Sequence, residues 1–269
     1  LGHTAAFFIN KLYLAKIVET RVNPEFESIF AIGVDEMSWD DLDNNHYNWP
    51  PVEEVRKYRE KVKEVVLNII DTTPLQMPIG WDNPFYVVMM GIEHERIHLE
   101  TSSVLIRQLP LDEVTPNKFG EICFDSADAP TNKMIPVAGA TVKMGKPASH
   151  PLYGWDNEYG VQNEQVDEFK AAKYLTSNQD FLEFINDGGY TTEKYWTEEG
   201  WEWRNFKKAE MPLFWRKEDD NYGLRLMTQE IDMPCNWPFE VNYLEAKAYC
   251  NWMSEKKGVI YRLPTEAEW

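Results

Sequence analysis

Asp82-Asn83-Pro84-Phe85-Tyr86-Val87-Val88-Met89-Met90-Gly91-Ile92-Glu93-His94-Glu95-Arg96-Ile97-His98-Leu99-Glu100 decides how the first half of this chain folds. A capping residue followed by proline at the first helical position opens a helix. The helix is predicted to run through Met90, His94, His98 and Leu105 to about Leu109, where Pro110 stops it. Residues four apart on a helix lie one above the other. His94 and His98 therefore continue the stripe of Val87, Met90 and Leu105 into an apolar interior. Two imidazoles in a core are costly unless something satisfies them. A divalent metal does so for a pair; separate bonds to carbonyls or carboxylates are the plainer alternative.

Outward from this segment, two further helices precede it. His3 to Thr20 places Phe7, Leu14 and Ile17 on one stripe, and Pro51 to Asp71 places Val55, Val62, Val66 and Ile69 at helical spacing. The stretch between them, Arg21 to Trp49, is irregular. Long helices with apolar stripes bury one another, so a bundle is expected, with room for a fourth helix before Leu1. From Pro110 to about Lys133 the pattern breaks, and Pro110, Pro116, Gly120 and Pro130 among acidic residues predict a linker. Beyond it the texture changes. Ile135 to Met144 alternates like a strand, and short helices are predicted at Asn178 to Asn186 and Asn242 to Glu255. Between them Gly188, Tyr190, Trp196, Trp201, Trp203 and Trp215 mark a mostly irregular segment held by buried rings. The expected division is a helical bundle over 1–115, a linker over 116–133 and a second domain over 134–269.

The 269 residues are 43% hydrophobic and 14% aromatic, a globular composition of a length that suits two domains. The chain starts at Leu1 and ends at Trp269 after a charged run, so both ends are expected to be cuts and both domains truncated. A net charge of -18 disfavours nucleic acid and anionic lipid as partners. No run of about 20 apolar residues is present to span a bilayer. Cys123, Cys235 and Cys250 show no CxxC spacing and read as reduced, packed thiols of a cytoplasmic protein.

A metal site needs a third ligand. His3 shares the stripe of Phe7, Leu14 and Ile17, and can meet the pair if that stripe faces the same core; spacing alone leaves this open. His46 and His150 sit in polar, loop-like contexts. His94-Glu95-Arg96-Ile97-His98 is also the HExxH pattern of zinc proteases, with Glu95 as general base. Thr101 and Val104 stand where the longer metzincin motif has glycine and histidine, and Glu121, the downstream glutamate, falls in the predicted linker. A zinc hydrolase therefore ranks below.

Three segments now combine in order: Gly2-His3-Thr4-Ala5-Ala6-Phe7-Phe8, the Glu93 to Glu100 run, and Arg262-Leu263-Pro264-Thr265-Glu266-Ala267-Glu268-Trp269. With Gly154-Trp155-Asp156-Asn157-Glu158, Phe184-Ile185-Asn186-Asp187-Gly188-Gly189-Tyr190 and Pro238-Phe239-Glu240-Val241-Asn242-Tyr243-Leu244-Glu245-Ala246, the chain resembles the non-haem iron sulfoxide synthases of ovothiol and ergothioneine biosynthesis. The resemblance covers nearly the whole chain. It implies a multidomain α and α+β fold: a DinB-like helical bundle followed by a formylglycine-generating-enzyme-like (C-type-lectin-like) domain. Phe26-Glu27-Ser28-Ile29-Phe30, Gly33-Val34-Asp35-Glu36-Met37-Ser38-Trp39-Asp40 and Glu95-Arg96-Ile97 look like the 5-histidylcysteine sulfoxide synthases. Ergothioneine-branch enzymes typically carry glutamines between the two histidines, where Ile97 departs from their pattern.

The resemblance implies ferrous iron held by His3, His94 and His98, and oxidative C–S coupling of L-cysteine with L-histidine by dioxygen to give 5-histidylcysteine sulfoxide. An all-histidine triad leaves the iron its full double charge, which favours an anionic thiolate. Arg56 and Arg59 correspond to the family's paired arginines that hold the thiol substrate, an arrangement suited to carboxylates; pairing with Glu53 or Glu60 is the alternative. The family's active-site tyrosine is expected beyond Trp269, so no proton-transfer residue is named. The competing functions are the ergothioneine-branch reaction on trimethylhistidine, a zinc hydrolase or DinB-like thiol transferase, and a non-enzymatic binding module.

Overall fold

The computed structural model describes residues 1–31, 48–116, 123, 127–219 and 221–269. His46, Gly120, Glu121 and the Gly33–Asp40 motif lie outside the described residues. The chain divides into two compact units: Leu1–Ser102 with Gly145–Val161, and Ser103–Met144 with Gln162–Trp269. Among the described residues no helix is long and apolar enough to cross a membrane.

The first unit is built on helices α1 (His3–Leu14), α2 (Pro24–Ile29), α3 (Val52–Thr72) and α4 (Pro84–Arg107), the last of which runs on into the second unit. Helix α1 is shorter than predicted. It ends at Leu14, and Lys16 takes a positive φ of 57°, which turns the chain away. Its buried face is Ala5, Ile9 and Leu12, and Leu14 is 65% exposed, because the stripe loses its period where the helix stops. Helix α3 buries Val55, Val62 and Ile69 of the predicted stripe, with Tyr58 beside them, and Val66 is half-buried. Helix α4 buries Tyr86, Val87, Val88 and Gly91, whereas Leu105, predicted to face inward, is 64% exposed.

Within the stretch predicted as irregular, α2 forms because its start is fully capped. Asn23 Oδ1 accepts from the Phe26 amide at 3.2 Å, and Pro24 occupies the first helical position. The Glu27 carboxylate, 1% exposed, accepts from the amides of Val22 and Asn23 at 3.1 Å each and lies 3.5 Å from Arg21. Helix α2 delivers Phe26 and Phe30 onto Tyr58 of α3. Two glycines permit the closest approaches. A Cβ on Gly2 would lie 2.3 Å from the Phe30 ring, and one on Gly91 would lie 2.1 Å from the Phe8 ring. The loop Gly145–Val161 also belongs to this unit: the Tyr86 hydroxyl donates to the Gly154 carbonyl at 2.7 Å, and the Tyr86 and Tyr153 rings pack 4.9 Å apart.

In the second unit the predicted strand over Ile135 to Met144 is two strands, β1 (Met134–Val137) and β2 (Ala140–Met144). They pair antiparallel with β4 (Phe169–Ala172) and β3 (Gln162–Val166) respectively. The break falls at Gly139, where a Cβ would stand 2.9 Å from the Val166 carbonyl. Helices α5 (Asn178–Asn186) and α7 (Tyr243–Lys257) start where predicted, each on a reciprocal capping box, Ser177 with Asp180 and Asn242 with Glu245. The segment between them is more regular than expected. It holds α6 (Glu198–Lys207), capped by Thr197, and a three-stranded antiparallel sheet of β5 (Trp215–Glu218), β6 (Asn221–Arg225) and β7 (Glu230–Asp232). Buried rings do hold it: Phe181, Phe184, Tyr190, Trp196, Trp215 and Trp252 share one core. The Tyr190 hydroxyl donates to the buried Glu245 carboxylate at 2.5 Å; burial pushes both groups up from their ordinary pKa values, Glu245 included despite its bonds.

Candidate metal centre

His3 stands in the first turn of α1, and His94 and His98 stand one turn apart on α4. The fold brings the three together. Ring centroids are 5.1 Å apart for His3 and His94, 4.7 Å for His3 and His98, and 4.5 Å for His94 and His98. One ring nitrogen from each lies within 4.8 Å of the others, a spread set against metal–nitrogen bonds of about 2.1 Å. Among the described residues this is the group of histidine, cysteine and carboxylate side chains placed to hold a metal ion, and it contains no carboxylate.

The hydrogen bonds show which nitrogens are free. His3 Nδ1 lies 2.7 Å from the Phe30 carbonyl. A carbonyl only accepts, so Nδ1 carries the proton and Nε2 keeps its lone pair. His94 Nε2 and His98 Nε2 face each other at 3.2 Å, a gap that holds one proton at most. His94 Nδ1 is sealed from solvent without a partner. Lone pairs thus converge without enough donors, and a bound cation removes that deficit. Burial, then the neighbouring charges of His98 and His3, lower the His94 pKa from 6.5 to about 4. Burial, then His3, lowers His98 as well. Both rings are therefore neutral near pH 7, the ligating form. Phe7 stacks on His94 with centroids 3.8 Å apart and fixes its plane.

A cavity of about 610 Å³ opens onto the three histidines, walled by Phe30, Trp49, Pro50, Val52 and Val55. The acidic neighbours face elsewhere: Glu93 pairs with Arg96 at 2.8 Å and Glu95 with Arg59 at 3.4 Å. The orienting acceptor of His3 is instead a backbone carbonyl at the end of α2, which no sequence signal marks. Arg56 is exposed. Arg59 is half-buried, its Nη1 donating to the Leu1 carbonyl at 2.6 Å and to the Thr4 hydroxyl at 2.8 Å. His150 is exposed, its Nδ1 accepting from the Leu152 amide at 3.2 Å. The three cysteines are free thiols.

The chain is similar to proteins of related names. Hercynine oxygenase of Mycolicibacterium smegmatis is 28% identical over 257 residues, 92% of this chain and 55% of that protein. Ergothioneine biosynthesis protein 1 of Neurospora crassa is 26% identical over 207 residues, 69% of this chain and 23% of that protein. The formylglycine-generating enzyme of Bos taurus is 24% identical over 159 residues, 52% of this chain and 39% of that protein. The chain spans about half the length of the hercynine oxygenase it matches. Residues 121–269 match the model of the sulfatase-modifying factor enzyme 1-like domain. That match covers more than half of the chain, which therefore belongs to the family of proteins carrying this domain.

Proposed function

We propose that this chain is part of an iron- and dioxygen-dependent sulfoxide synthase, with His3, His94 and His98 as the iron ligands. The observation that carries the reading is the convergence of three imidazoles, with ring nitrogens within 4.8 Å of one another, on one apolar-walled cavity. The name of one relative, hercynine oxygenase, agrees with oxygenase chemistry. In this reading residues 1–115 are a DinB-like bundle, 116–133 a linker and 134–269 the formylglycine-generating-enzyme-like domain.

The balanced reaction is one thiol, one imidazole C–H and one dioxygen giving one sulfoxide and one water; the C–S bond forms, the S–H and C–H bonds break, and sulfur keeps one oxygen. Ferrous iron held by the three histidines would activate dioxygen, and the four electrons that reduce it would come from the thiol and the imidazole C–H. The chain's residues do the rest by placement. Three neutral ligands add no negative charge, so the centre attracts a thiolate. Phe30, Val52 and Val55 give the cavity an apolar wall. The Phe30 carbonyl holds the His3 proton on Nδ1 and so aims Nε2. Arg56, exposed on α3, is the candidate for a substrate carboxylate.

The substrate pair we favour is L-cysteine with L-histidine, on the strength of Ile97 and the Phe26–Phe30 segment. The names of the relatives favour a second reading, in which the imidazole substrate is hercynine, the trimethylated histidine. The protein loaded with ferrous iron, given air, cysteine and either imidazole, distinguishes them by oxygen uptake and product mass. Coupling to histidine is expected. Coupling to hercynine alone overturns the substrate choice, and zinc bound with a glutamate ligand overturns the enzyme class.

A further inference from the structure

His3, Phe7 and Lys11 follow one another at intervals of four along α1, so they rise up one side of the helix. The first is a candidate ligand. The second stacks on another, His94, with centroids 3.8 Å apart and planes 20° from parallel. The third holds its ammonium 5.3 Å from the centre of the same Phe7 ring, within cation–π reach. One phenyl ring is therefore the neighbour of both a lysine and a histidine of the metal centre. The two separations together are about one Debye length at physiological ionic strength, so the lysine charge is felt at His94.

Little else on the page offsets that charge. The acids that flank His94 each face an arginine, Glu93 with Arg96 and Glu95 with Arg59. Lys11 is half-buried and forms no ion pair among the described residues. Three neutral imidazoles bring no charge of their own, so one uncompensated cation changes the field at the centre. We propose that Lys11, acting through space across Phe7 rather than by contact, strengthens the binding of anionic ligands at the metal, a thiolate among them. The proposal rests on the reading of the three histidines as metal ligands. The plainer role for Lys11 is support of the last turn of α1, where a cation meets the helix dipole.

Azide titrated into the cobalt(II)-loaded protein, followed by ligand-field absorbance, measures anion affinity without turnover. Lys11→Met and Lys11→Gln are expected to hold cobalt and to weaken azide about two- to tenfold, the span for one charge just beyond a ring between aqueous and protein-surface screening. The difference from wild type narrows as inert salt is raised. Lys11→Arg keeps a cation over the ring and an azide Kd near wild type. Lys57→Met removes an equal charge from the exposed face of α3 and leaves the azide Kd unchanged. If both neutral Lys11 variants bind cobalt and azide as the wild type does, the proposal is overturned, and a lowered metal-free melting temperature in them assigns Lys11 to the helix end alone. A cobalt-loaded wild type that takes up no azide overturns it as well. Absence of cobalt binding by the wild-type protein is a different result: it removes the metal reading, and this proposal with it.

Discussion

At the scale of single residues, His94 concentrates the energetic conflict of the first unit. Its Nδ1 is buried without a partner, and its Nε2 faces another imidazole. An unsatisfied buried polar atom costs about 1–3 kcal/mol. His94→Phe, which keeps a ring against Phe7, is therefore expected to leave the metal-free protein as stable or about 1 kcal/mol more stable, while abolishing metal binding. Urea unfolding and a cobalt titration of the same variant measure the two effects, and a large loss of metal-free stability would contradict the conflict. The sign of the pH dependence follows from the lowered pKa. Between about 6.5 and about 4 the unfolded chain protonates this ring and the folded protein does not. Stability of the metal-free protein is thus full above the unfolded value and falls as pH drops through that window. Melting temperatures from pH 7 to pH 4.5 are expected to decline in the wild type and to decline less in His94→Phe.

At the scale of elements, the centre exists because α1 lies close enough to α4 for a histidine in the first turn of one to meet two on the other. Gly91 permits this, since any Cβ there would enter the Phe8 ring. Gly91→Ala is expected to cost about 1–3 kcal/mol by overpacking, although alanine is the better helix former. Denaturant titration reads the loss; a gain in stability would mean that Phe8 moves freely aside and that the approach is not set there. Capping alone did not make an element readable: α5 and α7 were predicted, whereas α2, capped by Asn23, and α6, capped by Thr197, were not. α5 and α7 begin at Ser177 and Asn242, whose side chains bond backbone amides three residues on, a signal contained within four residues of sequence. α6 and the β5–β6–β7 sheet escaped because the sheet is defined by pairings such as Trp215 with Leu224, and the aromatic residues serve a core rather than a period.

At the scale of the whole molecule, metal binding and folding are linked. A divalent ion held at a hundred times its Kd is expected to raise the unfolding free energy by about 2.7 kcal/mol, and a chelator to reverse it. Calorimetry with and without cobalt checks this; an unmoved transition would mean that the three histidines hold no ion in the folded protein. By itself the sequence determined that His94 and His98 share one helical face, because a spacing of four is a local property of the helix. It also determined where α5 and α7 lie and most of the buried face of α3, for the same reason. Only the tertiary structure decided the rest. Of the stripe of Phe7, Leu14 and Ile17, Phe7 stacks on His94 and Ile17 packs against the core, but Leu14 is exposed, because the helix ends there. His3 reaches the pair through the Gly91 approach, its proton is fixed by a carbonyl 27 residues away, and its neighbour Thr4 is bonded by Arg59 of a third helix. These contacts join residues distant in sequence and involve backbone atoms, which carry no side-chain signature; their positions are set by how apolar faces pack.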